Sequence, residues 1–582
     1  MKLPAFLKSV DQYTVTMTHE QLEGFVHELA RTLPEADRDD FLDKLKHFSG
    51  ENKPEMVPAD DGRAEIINEI ATLIPRLEQI REGNLEMEGN YNEDWNDWDD
   101  YDEPEFLFSD PEDLLCDVQA AIWLVHKCVD MEMYCEGKEL AEALTGLEVV
   151  AKGDYLNHTG KFLSIRTLFA EGLISGDYGN YAKEALFLTY MGSSNTDRPA
   201  ALYSVFRDFS YTDITLESIL QMGRSELPEF DAFLPLWIDC LGRKPEEKAS
   251  ELLREAVSMI SDRDKLLETA RRFADVHPEL YLQLLNMKAD DDAAMLQIGQ
   301  EALNRISPEL KIRSEIALRS AYYADRLNMH DVREQCWLEA LKSDTSVMNY
   351  LRIKFMTDNP GLYDERISSV VAAVRRETLD KGDTYSTWVQ KSLMNRVSTE
   401  CWCVLLYFEK RFDEMESVGM RVKEGLGWSF TFMGNGLDLL LLLLFQGQYY
   451  PVAMKSVLSN AMGLCRFSKE ALYKGSASSD DRTEEALFAD IIGKWKASFT
   501  LSAGDRIKWM TKATELVRRR TTGIMEANKR NHYGECARYI AALGEVVESS
   551  GEKNGKKNVM MEYETEYHRR RAFLAEMWKW EL

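Results

Sequence analysis

The chain has 582 residues, 45% of them hydrophobic, and a net charge of −30. At roughly 100–200 residues per domain this length exceeds a single hydrophobic core, so several domains or one extended repeat array are expected. The negative charge opposes general nucleic-acid binding, and nine scattered cysteines form no disulfide framework, which points to a reducing, cytoplasmic setting.

The opening MKLPAFLKSVDQYTV has too brief an apolar patch for a signal peptide. Thr18-His19-Glu20-Gln21 reads as a capping box, with Leu22, Phe25, Val26 and Leu29 on one helix face behind it. Phe41, Leu42, Leu45 and Phe48 repeat that pattern. So do Ile66, Ile67, Ile70, Leu73, Ile74 and Leu77, with Pro75 expected to kink or end the helix. Residues 1–81 thus form an N-terminal helical region.

Between Glu82 and Asp117 stand fifteen acidic residues and no Lys or Arg. Tyr91, Trp95, Trp98, Tyr101, Phe106 and Phe108 are threaded among them. A purely acidic run is ordinarily a solvated loop. Large rings at short intervals point instead to a docking element, its aromatics serving as anchors and its carboxylates attracting a basic groove. That groove would belong to another protein or to the chain's own basic helices; mimicry of nucleic acid is the third reading. Residues 82–113 are taken as an acidic, aromatic linker.

From 114 onward helical periodicity is nearly continuous. Leu114–Tyr134 reads as a largely buried helix with Lys138–Val150 as its partner. Leu252, Leu253, Ala256, Val257 and Ile260 form one stripe; Ser261 is the expected cap of a helix carrying Leu266, Leu267, Ala270 and Phe273; His277-Pro278 opens the next. No alternating stretch marks a sheet, so the fold class is all-α. Breaks near Lys381-Gly-Asp-Thr and Lys474-Gly-Ser-Ala divide the rest into 114–380, 381–472 and a C-terminal 486–582, where a polar turn, Ser549–Asn558, separates the last two helices. The longest apolar run, Leu437–Phe445, is interrupted by Asp438 and falls far short of the ~20 residues of a membrane span.

The stretch Ala317–Ser346, ALRSAYYADRLNMHDVREQCWLEALKSDTS, resembles a degenerate tetratricopeptide repeat. Ala321 stands at the small position of a first helix, Trp337 and Ala340 at the large and small positions of a second, and Asp344-Thr345 at the exit turn. The resemblance implies stacked helical hairpins in an α-solenoid, because one hairpin cannot bury its own apolar face. HPELYLQLL, the stretch around CWLEALKSDTSVMNYLRI, and RNHYGECARYIAALGEV with YETEYHRRRAFLAEM resemble helical regions of bacterial proteins associated with SWIM-type zinc fingers. The finger itself is absent: Cys401-Trp402-Cys403 would open it, but Cys465 is followed by Arg466 and Phe467.

Motifs that carry chemistry fail on spacing. His126, Cys128 and Cys135 lack four converging ligands, and Cys401 and Cys403 point in opposite directions on a helix. His19-Glu20 and His27-Glu28 lack the second His of a zinc protease. Gly434-Asn435-Gly436 reads as a turn between helices, Gly493-Lys494 has no glycine-rich loop, Ser429 has no G-x-S-x-G frame, and Asp97, Asp99 and Tyr101 lack the glycine and glutamate of a calcium loop. No catalytic, cofactor or metal residue is assigned, and dispersed catalytic residues are the remaining enzymatic reading.

Charge is unevenly spread. Lys494–Leu582 holds 18 basic and 12 acidic residues (+6) and the rest 52 and 88 (−36). Arg518, Arg519, Arg520, Lys529 and Arg530 form its basic face, a surface for phosphate, solvent or the acidic body. The expectation is a non-enzymatic, protein-binding helical scaffold without membrane association. The alternative is a regulatory component of a bacterial defence or stress system, of the kind released by a caspase-like protease in CRISPR-associated systems, for which the 473–485 loop is the cleavage candidate.

Overall fold

The computed structural model describes residues 61–91, 106–152, 161–209, 212–220, 222, 227–260, 262–287, 291–374, 395–419 and 432–580. Among them about 70% of the chain is helical, in 26 α-helices, with one small sheet. No helix of the described residues is long and apolar enough to cross a membrane. The chain divides into two compact units, 1–261 and 262–582.

The first unit holds the sheet that periodicity did not reveal. Its helices are α1 (Asp61–Arg81), α2 (Leu114–Asp130), α3 (Tyr134–Leu144), α4 (Ile165–Ala170), α5 (Tyr178–Gly192), α6 (Arg198–Asp208), α7 (Leu216–Leu220), α8 (Phe230–Gly242) and α9 (Glu247–Ser258). The strands β1 (Met87–Tyr91), β2 (Phe106–Ser109), β3 (Glu148–Lys152) and β4 (Lys161–Ser164) pair in the order β2-β1-β3-β4. The β1–β2 and β3–β4 pairs are antiparallel and β1–β3 is parallel, which requires the α2–α3 crossover. Glu148–Val150 is therefore strand and not the end of a helix. Four- or five-residue strands show too few alternations to be distinguished from helix ends. Met87, Val149, Ala151 and Leu163 are buried on one face, while Phe162 is 58% exposed on the other.

Helix α1 continues through Pro75 to Arg81. Proline frees the carbonyl four residues back, here that of Ala71, an exposed residue on the solvent side of the helix. Leu77 and Ile80 beyond it are fully buried, so packing holds the continuation.

The second unit contains α10 (Arg263–Phe273), α11 (Glu279–Asn286), α12 (Asp292–Arg305), α13 (Ile312–Arg326), α14 (His330–Ser343), α15 (Val347–Phe355), α16 (Asp364–Ala372), α17 (Thr399–Phe408), α18 (Phe412–Gly419), α19 (Phe432–Leu444), α20 (Val452–Leu464), α21 (Lys469–Tyr473), α22 (Glu484–Ala497), α23 (Ala503–Glu526), α24 (Tyr533–Ser549), α25 (Gly555–Glu566) and α26 (Arg571–Trp578). The cap of α10 is Asp262, whose carboxylate accepts from the Asp264 and Lys265 amides, and not Ser261. Gly434-Asn435-Gly436 lies inside α19, not in a turn. The polar turn after Ser549 precedes α25, and α26 follows as a further helix, so the C-terminus carries three helices where two were expected.

Helix pairs are joined by a recurring local device. After α13, the Met329 N–H returns to the Ala324 carbonyl (2.8 Å) and the Asn328 N–H to Asp325 (2.9 Å), with Asn328 at φ 58°. The same closure follows α2 at Glu132, α17 at Lys410 and α23 at Asn528, all with positive φ. These bonds satisfy carbonyls that a helix end leaves orphaned and turn the chain back sharply. In the α13–α14 hairpin, Ala321, Trp337 and Ala340 are buried in a continuous core that also takes in α19, α22 and α24.

Three polar ties cross that core. Fully buried Arg352 on α15 donates to the Leu472 carbonyl (3.0 Å) and to those of Ala471 and Asn349's side chain. Asp325 accepts from the Ala477 amide (2.7 Å) and Ser476 Oγ (2.9 Å), and Trp337 Nε1 donates to the Gly475 carbonyl (3.2 Å). The 473–485 loop is thus tied down along its first residues. Asp438, which interrupts the apolar run, is 1% exposed on α19 and meets Arg538 (3.1 Å) and Tyr539 (3.2 Å) of α24. Burial pushes its carboxyl up to about 6 against the attraction of Arg538.

Glu132 is exposed and left-handed, a conformation costing an L-residue roughly 1–2 kcal/mol that glycine escapes. Less glycine's own entropy, Glu132→Gly is expected to stabilise the first unit by about 0.5–1 kcal/mol, read as a raised urea midpoint. Asp438→Ala leaves Arg538 buried without its carboxylate and is expected to cost about 3–5 kcal/mol in the second unit by the same measurement.

Candidate functional site

The acidic segment is built around a β-hairpin. Backbone pairing runs from Glu88↔Ser109 to Tyr91↔Phe106, so residues 92–105 form the connection between paired strands. Trp95, Trp98 and Tyr101 lie in that connection, outside the described residues. Phe106 lies in β2, the edge strand. Phe108 pairs with Gly89, and Lys161 Nζ of β4 lies 5.4 Å from the centroid of the Phe108 ring.

Two of the four acidic residues after the hairpin, Asp110 and Asp117, are engaged locally. Both Asp110 oxygens accept from α2, from the Leu114 (2.9 Å) and Leu115 (2.7 Å) amides, which caps the helix and places negative charge at its positive end. Arg76 of α1 pairs with Asp117 (2.5 Å) and donates to the Glu112 carbonyl (2.9 Å). That hydrogen bond and the charge of Asp117 raise the Arg76 pKa further above its usual value.

The basic residues of the C-terminal portion are largely occupied inside their own unit. Arg518 pairs with Glu562 and lies 4.0 Å from Glu566; Arg519 pairs with Glu515; Arg520, 1% exposed, makes two bonds to Glu535 (2.9 and 3.1 Å). Lys529 and Arg530 are exposed at the turn before α24. The charge divide also falls elsewhere than residue 494. Residues 1–261 hold 23 basic and 53 acidic groups, net −30, whereas 262–582 hold 47 of each, net zero. The first unit carries the whole excess.

Two cavities in the first unit were not visible in the sequence. One, of about 280 Å³, is lined by Trp123, His126, Asp177, Asn180, Tyr181 and Glu184. His126 Nδ1 lies 2.6 Å from Glu184 and Nε2 lies 3.6 Å from Asp130. The hydrogen bond to Glu184 raises the His126 pKa above its ordinary value despite partial burial. Cys128 lies on the opposite, buried face, its thiol pushed up to about 11 by desolvation, and Cys135 is exposed. Among the described residues no three His, Cys, Asp or Glu side chains are grouped to hold a metal.

The second cavity, about 550 Å³, is lined by Tyr178, Tyr181, Phe209, Asp208, Arg166 and Thr145, among others. Tyr178 and Tyr181 stand one turn apart on α5, whose start is fixed by Asp177 accepting from the Asn180 amide (2.7 Å). Phe209 follows α6 and meets both tyrosines edge-on, with centroids 5.7 Å away. Asp208 is exposed at the mouth beside Gly146; burial of its inner side outweighs Arg207 and Arg81 and raises its carboxyl above the usual range. Tyr181 is 3% exposed and its hydroxyl has no hydrogen-bond partner. The Tyr178-x-x-Tyr181 spacing was the one legible trace of this cavity, but its other walls come from distant elements.

Comparison with known proteins adds no assignment: no protein-family model matches the chain, and no curated protein matches it.

Because Glu184 favours the protonated imidazole in the fold, His126 contributes stability that is present below about pH 6.5 and lost as pH rises through its raised value. Titration by NMR is expected to place the His126 transition above 6.5, and Glu184→Gln to bring it back toward that value.

Proposed function

We propose that the protein is a non-enzymatic binding scaffold whose 92–105 loop docks a basic protein partner. In this reading the helical hairpins stack as a tetratricopeptide-like solenoid and provide the frame. The observation that carries it is the hairpin stem: antiparallel pairing of Tyr91 with Phe106 fixes both ends of the loop at the sheet edge. The loop itself holds eight acidic residues, three large aromatics and no cation. Fixing its ends lowers the ordering cost of binding. The unit's net charge of −30 speeds encounter with a cationic surface. The rings of Trp95, Trp98 and Tyr101 then supply the short-range apolar contact. An external partner is favoured over an internal clamp because Arg518, Arg519 and Arg520 are engaged by Glu562, Glu515 and Glu535.

The test compares proteins retained by the full chain with those retained by Trp95→Ala/Trp98→Ala and by a variant with the loop's Asp replaced by Asn. A true partner is expected to weaken at least tenfold with either variant and to be released between 0.1 and 0.5 M salt, as the Debye length falls from about 10 Å toward about 3 Å. Retention of the same partners by all three proteins, at both salt concentrations, would discard the proposal.

A further inference from the structure

The 550 Å³ cavity of the first unit has features that the proposed loop docking does not use. Its wall is aromatic on one side, where Tyr178, Tyr181 and Phe209 form a contiguous cluster. An exposed carboxylate, Asp208, also lines it. Tyr181 borders both cavities of the unit, and its hydroxyl is buried with no protein partner. A buried hydroxyl without a partner costs about 1–3 kcal/mol, so the site is incomplete as a piece of hydrophobic core.

We propose that this cavity is a binding site for a small alkylammonium ligand, held between the carboxylate of Asp208 and the faces of Tyr178, Tyr181 and Phe209. Ring faces are negative and attract a desolvated cation, while a carboxylate supplies charge and an acceptor for an ammonium N–H. A small amine or ammonium fits a cavity of this size, which lies within the range of ligand pockets. Arg166 also lines the cavity and disfavours a cation beside it, but the unit's 53 acidic groups against 23 basic ones leave cations favoured overall. Arg207 and Arg81 act on Asp208 electrostatically, but Arg81 is committed to the end of α3 through the Ala143 (2.5 Å) and Thr145 (3.0 Å) carbonyls, and a second carboxylate, Glu148, also lines the cavity.

The experiment is saturation-transfer NMR on the full chain with n-butylammonium and tetramethylammonium as probes, at constant ionic strength, with acetate as the anionic control. Saturable transfer to n-butylammonium is expected, and none to acetate. Asp208→Asn, at an exposed position that leaves the core intact, is expected to weaken the affinity about tenfold. Tyr178→Leu, which keeps apolar bulk while removing the ring, is expected to weaken both probes several-fold. Asp130→Asn, beside the other cavity, serves as a control expected to change nothing, and thermal unfolding by circular dichroism verifies that each variant folds. Failure of either ammonium to bind saturably overturns the proposal, as does binding insensitive to both Asp208→Asn and Tyr178→Leu, or preferential binding of acetate. Because the loop 92–105 is untouched in every arm, this outcome is independent of partner docking.

Discussion

A fully buried guanidinium governs the second half of the chain. Arg352 cannot be left unpaired in a core of leucine, tyrosine and tryptophan, because an uncompensated buried charge costs several kcal/mol. It is satisfied by Asn349 one turn away and by carbonyls at the end of α21, about 120 residues further along. Burial still lowers its pKa to about 10, leaving it charged at neutral pH. The demand for those carbonyls places α21 against α15. With Asp325 and Trp337 it also fixes the path of the loop that follows. A segment that reads as a break in the sequence is therefore a point of closure in the fold.

The two units manage charge in different ways. In the second, cations and carboxylates are equal in number and many are paired across helices, as Arg520 with Glu535, Arg313 with Glu339 (2.7 Å) and Arg538 with Asp438. In the first, carboxylates exceed cations by thirty, and among the described residues some serve as caps and local partners, as Asp110 and Asp117 do. Uncompensated charge destabilises a compact unit. Its retention in one unit alone is what makes cationic partners and ligands the natural readings there.

Much of the architecture was legible because helices announce themselves locally. The stripe Leu252, Leu253, Ala256 and Val257 is buried as expected, and so are Leu266, Ala270 and Phe273. Ala321, Trp337 and Ala340 are buried in the core of the second unit. The sheet was not legible, since MEGNY, FLFS, EVVAK and KFLS are each too short to carry a period. Pro75 misled for a related reason: a local rule ended the helix, while burial of Leu77 and Ile80 continued it.

The candidate sites divide along the same line. The sequence by itself determined the helical class, the apolar faces and the acidic, aromatic composition of residues 82–117, because periodicity and composition need only neighbours along the chain. Tertiary structure alone decided that residues 92–105 of this segment connect two paired strands, that Arg518, Arg519 and Arg520 are spent on Glu562, Glu515 and Glu535, and that the whole excess charge belongs to one unit. It alone gathered Thr145, Arg166, Tyr178, Tyr181 and Asp208 around one cavity. Those residues come from four separate places in the chain, and the convergence of side chains in space leaves no periodic signal in sequence.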